Sequence, residues 1–190
     1  MKLIILIFLA LFTLNSSFAQ KKSSFSPSET KNNLKIGLNT DFFDPHPFAI
    51  AWEFKVANKQ SMQIEFLPIF FKDNYSKTNG LAIALSYRKY ISKNKEGLQG
   101  IYFSPMIKYG VLNESYGGST ESKSNNLNIA FLFGKQWIFK SGFSLDLNGG
   151  VGYYNGKDNN RYGYNPIGSP LTYNSYGISP SLNIKIGYAF

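Results

Sequence analysis

Large apolar side chains recur at every second position along most of this chain, and small or polar residues separate them. The C-terminal stretch SLNIKIGYAF keeps this pattern to its last residue. A period of two places alternate side chains on opposite faces of an extended strand. Hydrophobic helical periodicity is almost absent after residue 32. The pattern therefore predicts an all-β protein.

Eight segments carry the alternation, and Asn, Gly, Ser and Lys separate them. Most are close to the ~9–11 residues with which a tilted β-strand crosses a bilayer. The predicted strands are Asn33–Thr40, Pro47–Val56, Ser61–Phe70, Gly80–Ile91, Gln99–Val111, Asn126–Phe139, Gly142–Tyr154 and Tyr176–Phe190.

The two faces of these segments differ in side-chain size. One carries Leu, Ile, Phe, Tyr and Trp, and the other carries Ala, Gly, Ser and an occasional charge. An eight-stranded barrel has room inside only for side chains that just fill it, so the bulky face would overfill the interior. A membrane barrel places bulky residues against lipid and small or polar ones inside. We therefore expect an eight-stranded antiparallel up-and-down transmembrane β-barrel with a side-chain-filled lumen.

Short and long connections alternate between the predicted strands. Such alternation is typical of barrels with short periplasmic turns and longer outer loops. The expected turns are 57–60, 92–98 and 140–141, and the expected outer loops are 41–46, 71–79, 112–125 and 155–175. Aromatic residues at strand ends predict a periplasmic girdle of Tyr87, Phe103, Trp137, Phe143, Tyr188 and Phe190, and an outer pair of Tyr109 and Tyr153.

Two prolines, Pro68 and Pro105, fall inside predicted strands. A closed barrel has no edge at which a missing backbone N–H is harmless. We therefore expect a β-bulge or an earlier strand end at each.

The N-terminus has the features of an export signal: Lys2, an apolar run from Leu3 to Leu14, and small residues before Gln20. We assign residues 1–19 to a cleaved signal peptide, 20–32 to a flexible periplasmic lead and 33–190 to the barrel. The chain has no cysteine, which excludes a lipid-anchored lipoprotein and any disulfide.

The chain is basic, with a net charge of +9 that becomes +8 (9 − 1) when Lys2 is removed. The basic residues are scattered and form no nucleic-acid recognition motif. Anionic lipid headgroups are therefore the expected partners of this charge, and nucleic acid is not.

Glu53 and Glu65 are the most suggestive pair for chemistry. A hairpin centred near residue 59 would place them opposite each other inside the barrel, where paired carboxylates can act as acid and base. Buried charges also serve as ion-paired structural plugs, and we favour that role. The predicted polar network of the lumen contains Glu53, Glu65, Arg88, Lys108, Asp146 and Lys185.

The outer loops hold the other candidates. His46, the only histidine, lies in a turn-like Asp-Pro-His-Pro stretch, and we assign it neither catalysis nor metal binding. The loop 155–176 is rich in Tyr and Asn, which suit adaptable binding. Its candidate binding residues are Tyr162, Tyr164, Tyr173 and Tyr176. We expect no catalytic residue, cofactor or metal.

The chain resembles the small outer-membrane barrels of the OmpX and OmpA type, and the resemblance is architectural. The residues Leu182, Ile184, Ile186, Tyr188 and Phe190 resemble the C-terminal signal that barrel-assembly machinery binds. The stretch 85–110, LSYRKYISKNKEGLQGIYFSPMIKYG, resembles the central hairpin of uncharacterised small-barrel families of Gram-negative bacteria.

These patterns and the resemblance lead us to expect a non-enzymatic outer-membrane protein with a structural or surface-interaction role. Its expected partners are outer-membrane lipid and lipopolysaccharide, the barrel-assembly machinery, and an extracellular ligand bound by the loops. Two alternatives remain open: a membrane-embedded lipid-modifying enzyme and a soluble periplasmic ligand-binding β-barrel. A diffusion channel conflicts with the narrow interior.

Overall fold

The computed structural model describes residues 25–41, 48–72, 76–93, 97–116, 120–158 and 176–190. They form eight antiparallel strands in the order of the sequence, and β8 pairs with β1 to close a barrel. The predicted all-β fold and strand count are confirmed. The strands are β1 (Asn32–Asp41), β2 (Ala49–Ala57), β3 (Gln60–Lys72), β4 (Ser76–Tyr90), β5 (Gly100–Tyr116), β6 (Thr120–Ile138), β7 (Phe143–Asp158) and β8 (Tyr176–Ala189). Within the described ranges, no helix has the length and apolarity to cross a membrane.

The barrel has its bulky face outside and its small and polar face inside. On β6, for example, Leu127, Ile129, Phe131 and Phe133 are exposed, whereas Asn128, Ala130 and Leu132 are buried. The same alternation repeats around the barrel, because successive side chains of a strand point to opposite faces. The buried charged and amide side chains therefore lie inside the barrel, among small residues and some larger apolar ones, and an apolar surface lies outside.

Two hairpins extend further than the sequence pattern predicts. The expected loops 71–79 and 112–125 are mostly strand, and only 73–75 and 117–119 separate β3 from β4 and β5 from β6. The prediction of long loops there was wrong, because it ended each strand where the outward residues became polar. Backbone pairing does not need apolar side chains, and pairs such as Asn113↔Lys123 continue the ladder.

The hairpin between β2 and β3 contains an irregularity that shifts its register. Asn58 and Lys59 form the turn, and Lys59 has a φ of 56°. Between Lys55 and Ala57 the register then slips at a β-bulge. Glu53 therefore lies opposite Gln63, and Glu65 lies opposite Ala51. The prediction that the two glutamates face each other directly was wrong, because the turn is centred between Asn58 and Lys59 rather than on residue 59, and the bulge shifts the register by one further residue.

The prolines are accommodated without a shift of register, so the expected bulges are absent. Pro68 pairs with Leu81 on one side, and the ladder with β2 has already ended at Ile50↔Phe66 on the other. Pro105 pairs with Phe131, while the ladder with β4 is interrupted between Ser86↔Met106 and Lys89↔Phe103 and resumes in the same register. A proline that lacks one ladder hydrogen bond explains this local gap.

Candidate functional site

The most concentrated chemistry of the molecule is a charge cluster buried in the barrel. Lys35 of β1 binds Glu53 of β2 at 2.7 Å and Asp146 of β7 at 3.0 Å. Arg88 of β4 binds the same Asp146 at 2.7 Å and lies 3.6 Å from Glu53. All four side chains are buried. Four strands thus contribute two cations and two carboxylates to one alternating cluster.

Neutral donors complete the coordination of both carboxylates. The hydroxyls of Ser61 and Tyr90 each donate to Glu53 at 2.6 Å. The Tyr102 hydroxyl donates to Asp146 at 2.6 Å. Gln136 donates to Glu53 at 2.9 Å and to the Leu98 carbonyl at 2.6 Å. Burying an ion costs free energy unless the ion is paired and hydrogen-bonded, and these contacts offset that cost for both carboxylates.

Arg88 makes a further contact through its planar group. Its guanidinium carbon lies 4.4 Å from the centre of the Tyr102 ring. A cation over an aromatic face gains electrostatic attraction. Tyr102 therefore contacts both members of the Arg88–Asp146 pair.

A second ion pair joins Lys185 of β8 to Glu65 of β3 at 3.1 Å. Asn39 and Gln63 also donate to the Glu65 carboxylate. Lys185 lies directly opposite Asp146 in the ladder between β7 and β8, so the second pair adjoins the first cluster. An apolar group borders Glu65 and fills the neighbouring interior: Ala49, Leu67, Ala82, Ala84, Met106, Ala130 and Leu132.

All six residues of the predicted lumen network lie inside the barrel. Five of them belong to the two clusters, and Lys108 is buried on β5 opposite Ala84 and Asn128. Glu53 pairs with Lys35 and lies 3.6 Å from Arg88, and Glu65 pairs with Lys185.

Sequence reasoning missed Lys35, Tyr90, Tyr102 and Gln136. Lys35 alternates with Leu34 and Ile36, so strand parity could have identified it as inward-facing. Tyr90 and Tyr102 share the inward parity of their strands as well. The expectation that bulky aromatic side chains face lipid or the membrane boundary does not allow for these two inward-facing tyrosines.

The last strand forms the closing seam of the barrel. Its predicted assembly-signal residues Leu182, Ile184, Ile186 and Tyr188 pair with Thr40, Leu38, Ile36 and Leu34 of β1. All four, with Phe190, are exposed on the outer face. The Phe190 carbonyl accepts hydrogen bonds from the amides of Lys31 and Asn32. The chain end is therefore tied to the beginning of β1.

One end of the barrel is closed by the segment before β1 and by the connection between β4 and β5. Phe25 packs against a buried cluster of Tyr90, Leu98, Tyr102, Ile138 and Ala189. Gly97 and Leu98 are buried at the same end. The described part of the predicted lead, from Phe25 onward, thus contacts the apolar residues that lie between this end of the barrel and the charge cluster.

The remaining candidates lie largely outside the described residues. These are His46, Tyr162, Tyr164 and Tyr173, together with the predicted signal peptide 1–19. The backbone of Tyr176 begins β8 opposite Asn155. Among the residues that the structure describes, no three His, Asp or Glu side chains are grouped to hold a metal ion.

The fold and this interior define a closed eight-stranded antiparallel β-barrel with an ion-paired lumen. A family model described as "Protein of unknown function (DUF3575)" matches residues 4–190, and the chain belongs to that family. Searches of curated proteins and of solved structures gave no match.

Proposed function

We propose that this protein is an outer-membrane β-barrel with a structural or surface-interaction role and no enzymatic activity. The observation that carries the proposal is the distribution of side chains: large apolar ones cover the outside of the barrel, whereas buried ion pairs, amides and small residues, together with apolar clusters, fill its inside. Contiguous apolar surface of this extent marks an interaction with lipid or with another protein. Transmembrane barrels have this distribution.

The height of the apolar surface supports a bilayer as the surrounding medium. On β5 the outward apolar side chains run from Ile101 to Val111, an advance of ten residues, or roughly 33 Å. At a tilt of about 40° this corresponds to roughly 25 Å along the barrel axis, the height of the apolar band of such barrels. The next outward residue on the same strand, Asn113, is polar and exposed.

The signal-like N-terminus and the aromatic chain end support the same proposal. Export through a cleaved signal peptide would deliver the chain to the periplasm. The outward row that ends in Phe190 would serve the barrel-assembly machinery, and lipopolysaccharide would meet the barrel in the outer leaflet. The loops 41–46 and 155–175 and the tips of the two tall hairpins would be exposed to the exterior, where an extracellular ligand could bind.

The occupied carboxylates favour a structural role over catalysis. Both oxygens of Glu53, of Glu65 and of Asp146 accept hydrogen bonds or ion pairs from protein groups. A general acid or base must reach the substrate, and these groups are buried. The apolar cluster around Leu67 and Leu132 likewise argues against a diffusion channel through the lumen.

Fractionation and gel mobility test the membrane proposal. We expect the protein in the outer-membrane fraction, with different migration in SDS gels before and after boiling, because a closed barrel resists SDS until heated. A soluble periplasmic protein without a mobility change would contradict the proposal and favour a soluble ligand-binding barrel.

Lipid analysis tests the enzyme alternative. Cells that express the protein and cells that lack it should show the same lipid A and phospholipid species. A species that changes with expression, and reverts in a Glu53→Gln and Glu65→Gln double variant that still shows heat-modifiable mobility, would replace our proposal with the enzyme. Steady nanosiemens conductance in planar bilayers would instead support a channel.

A further inference from the structure

The positive charge of the protein is concentrated at one end of the barrel. We call this the terminal end: it holds Phe190, the start of β1, and the connections 58–59, 91–99 and 139–142. The opposite end, where β3–β4 and β5–β6 turn, is the loop end. At the terminal end, seven described lysines are exposed or half-buried, against one described acid, Glu29. These lysines are Lys31, Lys55, Lys59, Lys89, Lys93, Lys135 and Lys140.

The loop end has a different balance. Its described lysines with exposed side chains are Lys72, Lys77 and Lys123. The described strands also carry four acids at this end, Asp41, Glu114, Glu121 and Asp158, against one further lysine, Lys157. Positive charge therefore dominates one end only, rather than the whole surface.

The terminal-end lysines encircle the barrel instead of forming a patch on one side. They lie before β1, in the β2–β3 turn, on β4, in the β4–β5 connection, on β6 and in the β6–β7 turn, whereas Lys55 of β2 lies opposite the inward-facing Ser61 at the end of the lumen. A folded protein partner contacts one side of a surface, whereas a planar lipid layer surrounds a barrel on all sides. A ring of charge thus matches a lipid leaflet better than a single protein.

The ring coincides with the aromatic residues that mark a membrane boundary. Lys135 and Trp137 face outward on β6, and the Lys135 ammonium lies 4.9 Å from the centre of the Trp137 ring. Tyr188 and Phe190 are exposed at the same end. Trp and Tyr belong at the level of lipid headgroups, and lysines next to them place their ammonium groups among headgroup phosphates.

We propose that the terminal end binds the headgroups of anionic phospholipids in the leaflet that surrounds it. The ligand chemistry is a phosphodiester that carries a net negative charge, as in phosphatidylglycerol. The lysine ring would hold these lipids by charge attraction that weakens as salt is added. This inference rests on the proposed membrane location.

Two matched triple variants test the proposal. Lys89→Gln/Lys135→Gln/Lys140→Gln removes three charges from the terminal end, and Lys72→Gln/Lys77→Gln/Lys123→Gln removes three from the loop end. Each mature protein is extracted in non-ionic detergent. Native mass spectrometry then counts the phosphatidylglycerol and phosphatidylcholine molecules retained when the two are added in equal amounts.

The wild type and the loop-end variant should retain phosphatidylglycerol over phosphatidylcholine by about tenfold at low salt, and the terminal-end variant should lose most of this preference. Equal loss in both variants, or no preference in the wild type, would overturn the inference. In a parallel experiment, isolated cell-wall polymer is added together with the two lipids. Retention of the polymer instead of lipid, dependent on the same three lysines, would also overturn the inference.

Gel mobility separates this inference from the proposed function. If all three proteins show heat-modifiable mobility and insert into phosphatidylcholine vesicles without an anionic-lipid preference, only the lipid-binding inference fails. If the wild type does not insert into vesicles of either composition, the membrane proposal itself fails, and the inference with it.

Discussion

Arg88 on β4 donates a 2.7 Å hydrogen bond to Asp146 on β7 across the interior of the barrel. The two strands are not neighbours in the sheet, so this contact spans the lumen rather than a single ladder. Lys35 and Tyr102 bind the same carboxylate from β1 and β5. Asp146 therefore connects four strands through side chains alone.

Removing Asp146 should destabilise the barrel strongly. Asp146→Ala leaves Lys35 and Arg88 buried with one carboxylate between them, and breaking a buried pair in this way costs about 3–5 kcal/mol. We expect this loss in the free energy of unfolding, measured by urea titration of the refolded protein in detergent micelles. Glu29→Ala, which removes an exposed acid, is the matched control and should change stability little. A loss below about 1 kcal/mol for Asp146→Ala would contradict the role of the cluster.

Gly150 should tolerate no side chain. A Cβ at this inward position would collide with the Phe131 carbonyl and lie 2.9 Å from the Leu132 Cα of the neighbouring strand. A Cβ added at Gly177, on β8, would have no atom within 4 Å. Gly150→Ala should therefore lose about 1–3 kcal/mol of stability, whereas Gly177→Ala should not. The fraction of heat-modifiable protein after refolding measures both, and similar yields for the two variants would contradict the close β6–β7 approach.

Phe25 should contribute to the stability of the terminal end. It packs on the cluster that includes Leu98 and Tyr102, and truncation of a partly buried phenylalanine costs roughly 1–3 kcal/mol. Phe25→Ala should lower the urea midpoint and speed hydrogen exchange of the Lys31 and Asn32 amides, which donate to Phe190. Phe25→Leu should retain most of the stability. Unchanged exchange in Phe25→Ala would mean that the segment before β1 does not hold the chain ends together.

The alternation of side chains predicted much of this molecule. Strand number, antiparallel order and the inward positions of Arg88, Lys108 and Asp146 all follow from a period of two. Parity decides which face a residue occupies, but it does not decide which residues meet inside a closed barrel. The contacts of Lys35 with Glu53 and Asp146 depend on register and curvature, which no local pattern specifies.

Three features could not be predicted because they depend on the backbone. The bulge between Lys55 and Ala57 has no clear sequence signature, and together with the position of the turn it places Glu53 opposite Gln63 instead of Glu65. The hairpins beyond Phe70 and Val111 continue because N–H and C=O groups pair regardless of side-chain polarity. Pro68 is harmless because β2 has ended beside it.

Trp137 should report the membrane boundary directly. The chain has two tryptophans, Trp52 and Trp137, so Trp52→Phe leaves only Trp137 on the outer face at the terminal end. In vesicles, lipids brominated near the headgroup should quench its fluorescence more strongly than lipids brominated near the end of the acyl chain, because tryptophan at a membrane boundary lies at headgroup depth. The reciprocal variant Trp137→Phe leaves Trp52, which lies opposite Leu34 and Ile64. The ratio of headgroup quenching to acyl-chain quenching is measured for this variant as well and compared with that of Trp137. Equal, weak quenching of both tryptophans by every lipid would indicate that the apolar outer face does not contact acyl chains.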